Sequence, residues 1–222
     1  MSLNTPASPS VFSAIEQSGI IAVVVLDELK HTRPLVESLL KGGVSAIELT
    51  LRTPVALEAA AMIKAEFPEI TLGIGTVITT EQVHAIHEIG VDFAVAPGCN
   101  SSIIKEAKQV SLPFAPGVMT PSEIEVALAL GCKVLKFFPA ETSGGMRHLN
   151  SMVAPYNYLN LKFIPLGGIN LENANSYLAS PLISAIGGSW VAKRNLIQSE
   201  SWATITQNAT AIRNLIDEIR TH

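Results

Sequence analysis

Short, unbroken apolar runs recur along this chain, and each is followed by a stretch with helical spacing. The first run is IIAVVV at residues 20–25. Six apolar residues in a row cannot lie on a sheet with one wet face. They belong to a strand covered on both sides, which is the situation of a parallel sheet. Residues 32–41 follow, with Leu35, Val36, Leu39 and Leu40 on one helical stripe, and the stripe stops at Gly42-Gly43. The unit then repeats. Further strands are expected at 46–51, 71–74, 93–96, 113–116, 134–138, 161–165 and 182–186. Helices are expected at 53–66, 79–90, 100–108, 120–130, 146–152 and 172–178, with a last amphipathic helix at 201–220 and a short first one at 11–17 ended by Gly19.

Start signals support this division. Thr79 with Gln82 reads as a capping box, and Thr120-Pro121-Ser122-Glu123 combines cap, first-turn proline and glutamate. Thr53-Pro54 is expected to open the helix that ends near Glu66 in the same way. Eight strand–helix units in 222 residues predict an α/β fold, a closed (β/α)8 TIM barrel with an N-terminal helix across its N-terminal end. One domain over residues 1–222 is expected, with 1–10 as a flexible tail. An open doubly wound sheet is the alternative, and it lacks the G-x-G-x-x-G fingerprint after the first strand.

Composition supplies exclusions. Hydrophobic residues make up 48% and charged residues 15%, enough to bury a large core. A net charge of −4 with scattered Lys and Arg gives no basic field, so no nucleic-acid partner is expected. No apolar run is long enough to span a bilayer, and the polar start MSLNTPASPS is no signal peptide, so no membrane and a cytoplasmic location are expected. Cys99 and Cys132 make neither a disulfide framework nor a metal-ligand spacing. His84 and His87 share a helix face that reads as solvated rather than metal-binding.

The chemistry sits where a barrel would have it, at the C-terminal ends of strands. In AIELTLR, Ala46, Glu48 and Thr50 share one face and the apolar Ile47, Leu49 and Leu51 the other. The apolar face belongs under the helices, so Glu48 is expected to point into the barrel. In VLKFF, Val134, Lys136 and Phe138 take the inner face by the same rule. A buried ammonium must be paired or lose its proton. Lys136 therefore reads either as half of a structural ion pair with Glu48 or as a nucleophilic amine of the Schiff-base kind. Arg52, at the end of the Glu48 strand, suits a carboxylate or phosphate and reads otherwise as a surface cation. Thr76 is a substrate donor or a turn residue. Pro97 begins a turn that can line the mouth. The paired glycines Gly167-Gly168 and Gly187-Gly188, with Ser189, end the last two strands, where barrels bind phosphate, although turns use paired glycines routinely.

These residues lie in stretches that resemble the family of 2-keto-3-deoxy-6-phosphogluconate (KDPG) and 4-hydroxy-2-oxoglutarate (KHG) aldolases. The matching stretches are GGVSAIELTLRT, GIGTVIT, APGCN, PGVMTPSE, LKFFPAETSGG, PLGGIN and IGGSW, in that order from about residue 19 to 190. The resemblance implies a class I aldolase on a (β/α)8 barrel, a homotrimer of carbohydrate metabolism in the Entner-Doudoroff pathway, using no metal and no cofactor. It makes Lys136 the Schiff-base lysine and Glu48 the general acid/base. Arg52 and Thr76 would face the pyruvyl end, Gly167, Gly168, Gly188 and Ser189 would hold the phosphate, and Pro97 and Phe138 would line the pocket. The implied substrate is a small phosphorylated 2-keto-3-deoxy sugar acid. Leu166 stands where the phosphogluconate enzymes usually carry threonine, which leaves the phosphogalactonate epimer open as the substrate. A non-covalent phosphate-binding epimerase or isomerase, and a sugar-phosphate binding protein in which the pair is structural, are the rival readings.

Overall fold

The computed structural model describes residues 10–221, so all but the last residue of the expected 1–10 tail lies outside the described residues. Ser10 belongs to the fold: its hydroxyl accepts from Ser13 N–H at 3.3 Å and caps helix α1, Val11–Ser18. Gly19, at φ 75°, ends that helix in the left-handed conformation glycine adopts without strain.

Eight parallel strands follow. They are β1 (Ile20–Val24), β2 (Ala46–Thr50), β3 (Thr71–Gly75), β4 (Phe93–Val95), β5, β6 (Val134–Phe137), β7 (Lys162–Pro165) and β8 (Ile186–Gly188). Strand β5 is split at Pro116 into Phe114–Ala115 and Gly117–Val118; its first half pairs with β4 and its second with β6. Six strands run in the order β5-β4-β3-β2-β1-β8, and β5, β6 and β7 continue the curl. A bridge from Phe163 to Ile183 joins β7 to the segment that leads into β8, with Ser184 N–H donating to Phe163 O at 3.0 Å. The α/β barrel expected from the repeating pattern is the observed fold.

The lumen and the outer layer divide as alternation requires. Ala46 packs inside with Ile21, Phe93, Val95, Ala115, Ile164, Leu166 and Ala185, while Ile47 and Leu49 pack outside against the helices. Helix α1 closes the N-terminal end by inserting Ile15 into the inner cluster, with the Phe12 ring 6.4 Å from that of Phe93. The outer helices are α2 (Thr32–Lys41), α3 (Ala56–Glu66), α4 (Thr80–Ile89), α5 (Ser101–Gln109), α6 (Pro121–Ala129), α7 (Gly145–Val153) and α8 (Leu171–Leu178), then α9 (Arg194–Gln198) and α10 (Trp202–Thr221). The capping boxes at Thr79 and Thr120 both form.

Three expectations need correction. Helix α3 begins at Ala56 and not at Thr53-Pro54: Thr53 O accepts from Ala56 N–H at 3.3 Å in a turn, and no side chain caps the helix. The chain uses residues 51–55 to swing out of the barrel mouth before it can turn helical. Strand β8 is ladder-paired over Ile186–Gly188 rather than over 182–186, because Ile21 and Ala22 of β1 pair with Gly187 and Gly188. Tertiary pairing overrides the weak strand preference of glycine there. Helix α9 was not expected at all; five residues are too few to show a helical period.

Candidate active site

Strand β2 turns Glu48 inward and β6 turns Lys136 inward, both by the alternation that places Ala46 and Val134 on the lumen side. Their side chains meet. Lys136 Nζ donates to Glu48 Oε1 at 3.0 Å and lies 3.4 Å from Oε2. The two side chains are 7% and 2% exposed, so water screens the pair poorly. Nζ also lies 5.5 Å from the centre of the Phe138 ring, on whose face a cation is attracted.

The carboxylate has room because of a glycine. A Cβ built on Gly75, in neighbouring β3, would overlap the Glu48 carboxylate. On β8 the same logic holds for Gly187, whose Cβ would overlap the Leu166 side chain. Neither glycine stands out in the sequence as a space-maker, since the constraint comes from another strand.

The pair forms the floor of a cavity of about 310 Å³. Its lining includes Glu48, Arg52, Thr76, Pro97, Lys136, Phe138, Gly167, Gly168 and Ser189, residues singled out from sequence, together with Val23, Thr50, Leu166, Ile169 and Gly187. Gly188 is absent from this lining. It sits in the β8 ladder with its Cα side against the Trp190 ring, so Gly187 and Ser189 face the lumen in its place. A cavity of about 400 Å³ near Phe12 and Cys132 is comparable in size but encloses no paired charges.

Arg52 stands exposed on this lining and is in no ion pair among the described residues. Thr76 holds φ at 66°, a region costly for a β-branched residue and common at functional turns. Gly167 and Gly168 are both left-handed, at φ 99° and 81°. Both line the cavity, and backbone N–H groups of such glycine turns can form an anion-binding concavity. Thr50 Oγ1 is satisfied by Val24 O at 3.2 Å, which ties the β1 and β2 ends together.

The other titratable candidates lie apart from this chemistry. His84 Nε2 is 3.0 Å from Glu106 on the outer helices. Burial raises the pKa of both thiols, that of Cys132 to about 11. The arrangement can present an amine nucleophile to a carbonyl, pass protons through an adjacent carboxylate, and hold anions at both ends of a short substrate.

Comparison with known proteins gives the same direction. Residues 11–208 match the family model "KDPG and KHG aldolase". The 2-dehydro-3-deoxy-phosphogluconate aldolase of Haemophilus influenzae is 39% identical over 95% of this chain and 97% of its own. The KHG/KDPG aldolase of Escherichia coli is 35% identical over 90% and 93%. A crystal structure of the KDPG aldolase of Legionella pneumophila, with pyruvate captured at low pH as a covalent carbinolamine intermediate, superposes with a TM-score of 0.86 at 36% identity, covering 90% of this chain and 97% of that one.

Proposed function

For this chain, which belongs to the KDPG and KHG aldolase family and is thus a carbon–carbon lyase, we propose retro-aldol cleavage of 2-dehydro-3-deoxy-6-phosphogluconate to pyruvate and D-glyceraldehyde 3-phosphate. The observation that carries the reading is the buried contact of 3.0 Å between Lys136 Nζ and Glu48 on the floor of the cavity. The Lys136 amine attacks the C2 ketone, and the carbinolamine loses water to give an iminium. Glu48, already within hydrogen-bond reach of Nζ, moves the protons of these steps. The iminium is the electron sink. Glu48 takes the proton of the C4 hydroxyl, the C3–C4 bond breaks, and glyceraldehyde 3-phosphate leaves. The enamine is protonated at C3, and hydrolysis of the imine frees pyruvate and the amine.

Arg52 and Thr76 orient the pyruvyl carboxylate, with Pro97 and Phe138 forming the walls. Gly167, Gly168, Gly188 and Ser189 take the phosphate. The whole chain acting as one catalytic domain, assembly as a homotrimer, a cytoplasmic location and cleavage of 4-hydroxy-2-oxoglutarate belong to the same proposal, supported by the family. No helix among the described residues is long and apolar enough to cross a membrane. A second substrate reading rests on Leu166, only 5% exposed and on the cavity wall. An apolar side chain there offers no hydroxyl to the sugar C4 side, which favours the phosphogalactonate epimer relative to a threonine enzyme.

Borohydride with pyruvate is the test. Lys136 should gain the mass of reduced pyruvate, and an unmodified Lys136 after reduction sinks the aldolase mechanism in favour of a non-covalent epimerase or isomerase. Initial rates on the two epimers, in wild type and Leu166→Thr, decide the substrate: the threonine variant should shift the ratio toward phosphogluconate.

A further inference from the structure

The short segment after Lys136 does more than end a strand. Ala140 N–H donates to Leu166 O at 2.7 Å and Glu141 N–H to Gly167 O at 3.0 Å, so this segment runs bonded along the glycine loop after β7. The Glu141 side chain lies over Gly168, where any Cβ would collide with it. Its carboxylate Oε1 accepts the hydroxyl of Tyr177, a residue of α8 that is 1% exposed. From the same helix Asn173 Nδ2 donates to Gly168 O at 3.1 Å. Desolvation, and after it the Glu141 hydrogen bond, raise the Tyr177 hydroxyl far above its usual range, so it stays a donor.

Two successive left-handed residues do not hold their shape unaided; glycine permits the conformation and does not enforce it. Something around the loop must. We propose that Glu141, Tyr177 and Asn173 form a brace that locks Gly167-Gly168 with their amides aimed into the cavity, making these three the positioning residues for the substrate phosphate. The inference rests on the aldolase reading and on phosphate binding at that loop. The contacts made by Tyr177 and Asn173 lie on the α8 side of the loop, at Glu141 and Gly168 O.

The brace touches only the phosphate end, and that separates it from a general structural role. Tyr177→Phe should raise KM for the phosphorylated substrate roughly fivefold, the worth of one net hydrogen bond. Competitive inhibition by inorganic phosphate should weaken by the same factor. The turnover number and the borohydride-trapped pyruvate adduct on Lys136 should stay within about twofold, because pyruvate carries no phosphate. Asn173→Ala is the second variant, for which Asn170 still caps α8 through its own bonds to Glu172 and Asn173 N–H at 2.9 and 3.2 Å. It should give the same split even if the tyrosine variant does not fold. A wild type that forms no pyruvate adduct defeats the aldolase reading itself. A wild type that forms it, with variants that keep wild-type KM and phosphate inhibition or lose turnover and adduct equally, overturns the brace alone.

Discussion

Strand β3 carries two glycines toward the lumen, and what each admits divides the barrel in two. Gly73 makes room for the ring of Phe93, which packs in the lower lumen with Ile21, Ala46 and Ile15. Gly75, two residues on, makes room for the Glu48 carboxylate. The same local device thus serves dry packing at the closed end and an ion pair at the open end. The lower half can only hold the fold together. The upper half carries a charge pair whose desolvation the fold must offset, which is a common price of a reactive group kept ready.

The sharpest way to break the comparison is Lys136→Met. Both the pyruvate adduct and cleavage should vanish, while denaturant unfolding should report roughly 3–5 kcal/mol of lost stability from the Glu48 charge left alone; an active variant would move the chemistry elsewhere. Glu48→Gln keeps the shape and should lower kcat by about 10²–10⁴, read by a coupled pyruvate assay. Gly75→Ala crowds the carboxylate away from Nζ and should cost on the order of 10² in kcat with little change in KM, the mark of a misplaced catalytic group. A variant with wild-type kcat would show that the carboxylate has other room. Phe93→Ala belongs to the other half: unfolding should show about 3–5 kcal/mol lost, with the adduct still forming on folded protein. The smallest effect concerns Cys132. Burial disfavours its thiolate and puts the pKa at about 11, so alkylation of native protein should be slow at neutral pH and climb as pH nears that value. Fast alkylation at neutral pH would mean that the thiol is less shielded than its packing against the outer helices implies.

Much of this was legible in the sequence, and for local reasons. Period-two alternation told Glu48 from Leu49 and Lys136 from Leu135, because a residue on the wrong face would bury nothing or bury charge against helices. The capping boxes at Thr79 and Thr120 involve only neighbours three residues apart, so spacing sufficed. Thr53-Pro54 carried only a cap and a proline, with no glutamate or glutamine three residues on, and failed, since a turn at the mouth claimed those residues. Gly188 was read as part of an anion loop, and that it also pairs with Ala22 and backs onto the Trp190 ring could not be read locally, since those are facts about other residues. Tyr177 carries no local signal in the sequence, and only its neighbour Glu141, 36 residues away, gives its hydroxyl a purpose.

By itself, then, the chain order of apolar and polar residues determined which face of each strand turns inward and where most helices start, as those outcomes depend on contacts a few residues apart. The tertiary structure decided the rest. It set how the curled sheet closes through Phe163 and Ile183, which glycines leave space, and that an amine and a carboxylate 88 residues apart meet at 3.0 Å. Those outcomes depend on strand register and barrel curvature, which arise from all eight strands at once and are written in no single stretch.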